Sequence, residues 1–273
     1  MRISCLPVSF FDDILKGAMT IKEWASLGRE AGLDAIDLNI ILFKDQPLDR
    51  VKALRGEIEE EGMTVEMVTT YSDFCHPDPL QCQREMEYAE RDISLTALMG
   101  GKYLRILAGQ AHPGVSYRER KQDIIESLKK AASMAETRGV QLLFENHSKP
   151  GAWKYPDISH PTEIFLDIAE AIKDTGIGIN FDTANTLAYG DDPIPVLMEV
   201  LDRVETVHAA DTRVTGALEP VLLGEGLVPF PRIFSILKKN GFDGLISIEE
   251  ASKTGKDAVK KARDFVYKTW GDV

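Results

Sequence analysis

A chain of 273 residues with 44% hydrophobic and 28% charged side chains can bury a large core, and it is long enough for one (β/α)8 TIM barrel domain over 1–273. That balance excludes a disordered polymer. The formal net charge of −12 excludes an extended electrostatic footprint for nucleic acid or anionic lipid and leaves a small molecule as the partner.

The apolar stretch at 6–11 is short, contains Pro7 and runs into Asp12 and Asp13, unlike a cleavable signal, and no run approaches the length of a membrane span. Cys5, Cys75 and Cys82 form no CxxC pair and leave an odd thiol, so neither a disulfide framework nor a cysteine zinc site is expected. A reducing, cytoplasmic setting fits. Short β-branched runs then alternate with amphipathic stretches, which predicts strands at 2–7, 35–39, 64–70, 103–108, 140–145, 178–182, 206–209 and 245–249. The intervening helices are expected to be short, with solvated outer faces. Their start signals include the capping box Thr20-Ile21-Lys22-Glu23 and the Pro-initiated stretches after His160 and Asp192. Gly32, Gly139 and Gly241 stand where a helix must turn back toward the next strand. The acidic cluster Glu57, Glu59, Glu60 and Glu61 reads as a solvated helix face with no function. Nothing divides the chain into two domains. A doubly wound open sheet would share much of this alternation, and the polar residues argue for the barrel instead.

Four strands in the second half end on a side chain able to bind a metal: Phe144-Glu145, Phe181-Asp182, Val207-His208 and Ile248-Glu249. In a barrel, strand C-termini far apart in sequence converge on one mouth. Three carboxylates and an imidazole there would suit one divalent cation, Mn²⁺ first, with Mg²⁺, Co²⁺ and Zn²⁺ as alternatives. Without a cation the carboxylates would repel one another. Taken singly, each is more often structural, and Asp182 before Thr183-Ala184-Asn185 also reads as a helix N-cap.

The runs Phe144-Glu145-Asn146-His147, Phe181-Asp182-Thr183-Ala184-Asn185, His208-Ala209-Ala210-Asp211-Thr212, Leu223-Gly224-Glu225-Gly226 and Ser247-Ile248-Glu249 resemble the xylose isomerase-like superfamily, in particular its sugar phosphate isomerase/epimerase branch. That branch includes tagatose 3-epimerase, hydroxypyruvate isomerase, inosose isomerase and inosose dehydratase. The resemblance implies one divalent cation on Glu145, Asp182, His208 and Glu249, with Glu145 and Glu249 as the acid/base pair. The implied reaction is isomerisation or epimerisation of a sugar, keto-sugar or cyclitol, phosphorylated or not, through a metal-stabilised enediolate. It also implies a homo-oligomer built by loop and helix contacts. An inosose-type dehydratase is the alternative on the same site. The endonuclease IV branch shares the barrel but needs several more histidines than the 5 present, and a non-catalytic carbohydrate-binding barrel would use the metal for structure alone.

Candidate substrate contacts are His147, Asn185, Arg213, Arg105 and Trp153. His147 reads equally as a substrate contact or as half of an exposed loop pair with Lys149. Asn185 stands where epimerases of the branch carry a histidine. Arg213 lies one position off the family's arginine and reads equally as a surface salt-bridge partner. Arg105, inward on strand four, needs a carboxylate or an anionic substrate. Asp211 and Glu225 fall after strand seven near the expected metal, Glu225 as a support of that loop. Phe11, Tyr71 and Phe74 read as anchors of their loops, whereas Trp153 reads as a wall against a sugar ring.

Overall fold

The computed structural model describes residues 1–149 and 151–273. Eight parallel strands form one sheet: β1 (Arg2–Leu6), β2 (Ile36–Asn39), β3 (Val65–Thr69), β4 (Tyr103–Ile106), β5 (Gln141–Glu145), β6 (Gly178–Asp182), β7 (Val204–Ala209) and β8 (Leu245–Glu249). Their hydrogen-bonded order is β1-β8-β7-β6-β5-β4-β3-β2. The remaining seam, between β1 and β2, is closed by Asp34 N–H donating to Ile3 O at 2.9 Å and Ile3 N–H donating to Asp34 Oδ2 at 2.8 Å. Ser4 Oγ also donates to Asp37 across it. The fold is therefore the expected (β/α)8 barrel, with every strand within two residues of its sequence position.

Outside the strands lie α1 (Phe11–Leu15), α2 (Ile21–Ala31), α3 (Leu48–Glu60), α4 (Pro79–Leu98), α5 (Tyr117–Glu136), α6 (Thr162–Ala171), α7 (Asn185–Tyr189), α8 (Pro193–Val200), α9 (Phe230–Lys239) and α10 (Asp257–Asp272). The capping box forms at the start of α2, and Gly32 ends that helix at φ 78° in the left-handed region. Not all helices are short. Both α4 and α5 run for 20 residues. Pro79 behind the Asp78 cap and Ser116 at the next cap start them cleanly, and no glycine interrupts either until its end. The Glu57 to Glu61 cluster is an outer face of α3 whose carboxylates pair with Arg50, Arg55, Lys22 and Arg29.

Alternation along the strands sorts the barrel. Outward residues such as Phe144, Ile179, Phe181, Val207, Ile246 and Ile248 join the apolar layer under the helices, where Phe144 stacks on Phe165 of α6 at 5.5 Å. Inside, Met67, Tyr103 and Leu143 form a separate apolar plug low in the barrel. Two residues further along β3, β4 and β5, on the same inner face, come Thr69, Arg105 and Glu145. The interior thus changes from apolar to polar toward the strand C-termini. Among the described residues no helix is long and apolar enough to cross a membrane.

Candidate metal centre

Register puts the key side chains together. Glu145 pairs with Asn180 across β5 and β6, Asp182 with His208 across β6 and β7, and Ala209 with Ile248 across β7 and β8. Glu145, Asn180, Asp182, His208 and Glu249 therefore share the inner face within about one pleat of one another. Ligand atoms of Glu145, Asp182 and His208 all lie within 4.8 Å of one another, and all three residues are buried. His208 Nδ1 stands 2.5 Å from Glu145 Oε1 and 3.4 Å from Glu249 Oε1. Glu249 is the most open of the four, its side chain 19% exposed.

Glu145 Oε1 is hydrogen-bonded, whereas Oε2 has no hydrogen-bond partner among the described residues and faces the Arg105 cation. Asn180 Nδ2 donates to Oε1 at 2.7 Å, and Asn180 is fixed in turn by Thr206 Oγ1 donating to its Oδ1 at 2.6 Å. On the other side Arg105 Nε lies 3.1 Å from Oε2, with the guanidinium also donating to Thr70 O at 2.8 Å. Burial pushes the Glu145 carboxyl up, but the His208 and Arg105 cations outweigh it and hold it at about 2. Burial pushes His208 down, and the Glu145 and Glu249 carboxylates carry it up to about 9. Asp182 is raised by burial and then by the charges of Glu249 and Glu145. Three carboxylates crowded in a dry volume call for positive charge, which here falls on Arg105 and a protonated imidazole. A divalent cation would supply that charge and leave His208 neutral as a ligand, so this donor set fits one.

The sequence model of the xylose isomerase-like TIM barrel family matches residues 26–269. The chain belongs to this family. It is 24% identical to the L-ribulose-5-phosphate 3-epimerase UlaE of Escherichia coli strain K12, over 96% of this chain and 94% of that protein. D-psicose 3-epimerase from Clostridium cellulolyticum H10, solved with D-tagatose, superposes with a TM-score of 0.80 at 12% identity, covering 99% of each chain. The IOLI protein, solved with a bound zinc atom, gives 0.79 at 17% identity, covering 100% of this chain and 99% of that one. The two superpositions show the family's fold.

Other residues singled out from the sequence fall into two groups. Near the four stand His147, Arg105, Asn185 and Trp153. His147 is buried rather than exposed, its Nε2 3.8 Å from Glu145 Oε2 and its Nδ1 without a hydrogen-bond partner among the described residues. Burial holds its pKa down to about 3, so the ring is neutral. Arg105 is 1% exposed and has found its carboxylate in Glu145. Asn185 is buried at the start of α7, where its N–H and that of Ala184 donate to Asp182 Oδ1 at 2.7 and 2.8 Å. Asp182 thus caps the turn with one oxygen while standing in the centre, and the two readings of it are compatible. Trp153 packs on Tyr71 at 6.4 Å, and Tyr71 lies over the Arg105 guanidinium at 5.4 Å.

Arg213 is not brought to the centre. Its side chain is 61% exposed and faces Glu219 at 3.7 Å, as the surface reading has it. Lys149 is exposed. Phe74 is core, and Phe11 opens α1 half-buried against the core. Glu225 is exposed, and the support of its loop comes from Asp211, which accepts from Thr212, Gly224, Gly226 and Val228 N–H. A Cβ at Gly226 would lie 2.2 Å from Asp211 Oδ1. The Gly-Glu-Gly run is thus written by its glycines and not by its glutamate.

Sequence reasoning missed Asn180, Thr206, Gln110 and Asp157. Asn180 and Thr206 carried a signal, since polar residues two before Asp182 and His208 must share their inward face. Asp157, in the loop after β5, accepts from Ser159 N–H and Oγ on one oxygen and leaves Oδ2 buried without a hydrogen-bond partner among the described residues. Burial raises it to about 7.

Proposed function

We propose that the protein is a divalent-metal-dependent isomerase or epimerase of a small keto-sugar or keto-polyol, phosphorylated or not, working in the cytoplasm. The observation that carries the reading is the meeting of Glu145, Asp182 and His208 within 4.8 Å, with Glu249 alongside, at the ends of four successive strands. The epimerase activity named for its 24% identical relative supports it. These four residues would hold one cation, Mn²⁺ first. When bound, that cation polarises a substrate carbonyl and its neighbouring hydroxyl and offsets the negative charge that develops as the adjacent carbon loses its proton.

The chain's own residues move that proton. Glu145 is fixed at Oε1 by Asn180 and His208 while Oε2 stands against the Arg105 cation, so it acts from one defined position. Glu249 is partly open, its nearest partner being His208 at 3.4 Å, so a substrate can reach it. One carboxylate takes the proton from one face, and the other returns it on the opposite face or to the next carbon, giving a 3-epimer or an aldose. The neutral ring of His147 lines the site through Nε2, 3.8 Å from Glu145 Oε2, and Trp153 with Tyr71 supplies an apolar wall that would keep water from a bound substrate. Arg105 holds Glu145 ionised and in place rather than reaching for a substrate anion. Loss of a β-hydroxyl from the same enediolate would make a dehydratase, and product analysis separates the two.

The test is hydrogen–deuterium exchange by NMR in D₂O, with Mn²⁺ supplied, across ketoses, keto-inositols and their phosphates. Deuterium entering at a carbon beside a carbonyl, lost in Glu145→Gln and Glu249→Gln, is the expected outcome. A panel with no exchange by metal-loaded protein would overturn the reading.

A further inference from the structure

The loop after β5 turns Trp153 inward, to 7% exposure, although Ala152 and Lys154 on either side are exposed. Its aromatic side chains pack on neighbours, Trp153 on Tyr71 and Tyr155 edge-on to His112 at 5.4 Å, while the backbone of its tip is tied at one point. Among the described residues, the hydrogen bonds from 151–155 to other segments both end on one atom: Lys154 N–H and Tyr155 N–H donate to Gln110 Oε1 at 2.9 and 3.2 Å. The base of the loop is tied separately, by Ala111 N–H to Pro156 O at 2.8 Å and Ile158 N–H to Gly109 O at 2.8 Å.

Gln110 is itself anchored. Its Nε2 donates to Asp73 Oδ2 and its backbone N–H to Asp73 Oδ1, both at 2.9 Å, while Cys75 Sγ donates to its carbonyl at 2.8 Å. Gly109 makes this approach feasible, with φ 129° and space so tight that a Cβ would lie 2.7 Å from Asp73 Oδ1 and Cys75 Sγ. The amide has one workable orientation. Its oxygen faces two N–H donors and its NH₂ faces a carboxylate, so a flipped amide would set donor against donor and acceptor against acceptor.

From this side chain a continuous line of contacts reaches the centre. Trp153 rests on Tyr71, whose hydroxyl accepts from Asn39 Nδ2 at 2.8 Å and whose ring lies over Arg105, and Arg105 meets Glu145 at 3.1 Å. We infer that Gln110 is a positioning residue that fixes the Trp153 wall over the mouth by joining the loop after β5 to the loop after β3, and so sets how tightly substrate is enclosed. The effect on substrate rests on the isomerase or epimerase reading, whereas the hold on the loop does not.

The experiment is amide hydrogen exchange by mass spectrometry on the full chain loaded with Mn²⁺. Gln110→Leu removes both functions of the amide. Gln110→Glu keeps the shape and the acceptor but turns an oxygen toward Asp73, and it serves if the leucine variant folds poorly. Exchange at the Lys154 and Tyr155 amides should rise about tenfold in each, with metal content unchanged. With whichever compound shows solvent exchange, KM should rise several-fold while kcat moves less. Unchanged protection at 154–155 overturns the inference. Faster exchange with unchanged KM overturns Trp153 as a substrate wall. If wild type exchanges no compound, the functional reading falls while the amide exchange still decides the hold on the loop.

Discussion

The two halves of the barrel are built from the same βα unit and end differently. Toward the mouth the inner face of β1 ends on Leu6, in register with Glu249, and β2 to β4 carry Asn39, Thr69 and Arg105, whereas β5 to β8 carry Glu145, Asp182, His208 and Glu249. In the first half these polar groups satisfy one another, as when Asn39 Nδ2 donates to Thr69 Oγ1 at 2.7 Å, or reach across to the second, as Arg105 does to Glu145. In the second half three carboxylates crowd together against only the Arg105 and His208 cations. One half is a support and the other is a reactive surface, and the difference lies in a few side chains at the same height rather than in the backbone.

That contrast can be broken at several points. Glu249→Gln touches the reactive half alone and should lower solvent-proton exchange by about 10²–10⁴-fold while leaving the fold intact, as kinetics and circular dichroism would show. Arg105→Met removes the support from the other half. It leaves Glu145 buried without its cation and should destabilise the metal-free protein by about 3–5 kcal/mol in urea titration. A wild-type stability for this variant would mean that the halves are independent.

A third change addresses pH. Asp157 is raised from 3.8 to about 7, so the folded protein binds its proton more tightly than the unfolded chain does. Its contribution is therefore fully present below about pH 4 and is lost as pH rises through about 7, at a cost of about 4 kcal/mol at most. Asp157→Asn should remove this fall, and parallel urea midpoints for the two proteins at pH 5 and pH 8, with chelator present, would contradict it. The smallest effects belong to the loop after β7. Gly226→Ala should cost about 1–3 kcal/mol by forcing Cβ against Asp211, and Glu225→Ala should stay within about 0.5 kcal/mol. Calorimetry distinguishes them.

The fold and the four central residues were readable because both rest on periodicity. Strand runs alternate, helices begin at caps, and an acid or histidine closing an apolar strand marks an inward position at the mouth. What could not be read depends on contacts between segments with no fixed spacing. Nothing in the sequence says that Gln110 meets Lys154 and Tyr155, that Asp211 gathers four backbone N–H groups, or that the carboxylate awaiting Arg105 is Glu145. The lengths of α4 and α5 were also missed, because helix propensity continues through polar stretches that show no strong apolar period.

The central claim is that Glu145, Asp182, His208 and Glu249 hold one divalent cation. Asp182→Asn tests it most directly, since the amide oxygen can still cap Ala184 and Asn185 while the charge is gone. Elemental analysis after incubation with Mn²⁺ and removal of the excess should find about one equivalent of metal in the wild type and a large loss in the variant, with the same thermal transition in both metal-free proteins. Wild-type protein that retains no metal, or a variant that retains the full equivalent, would contradict the account.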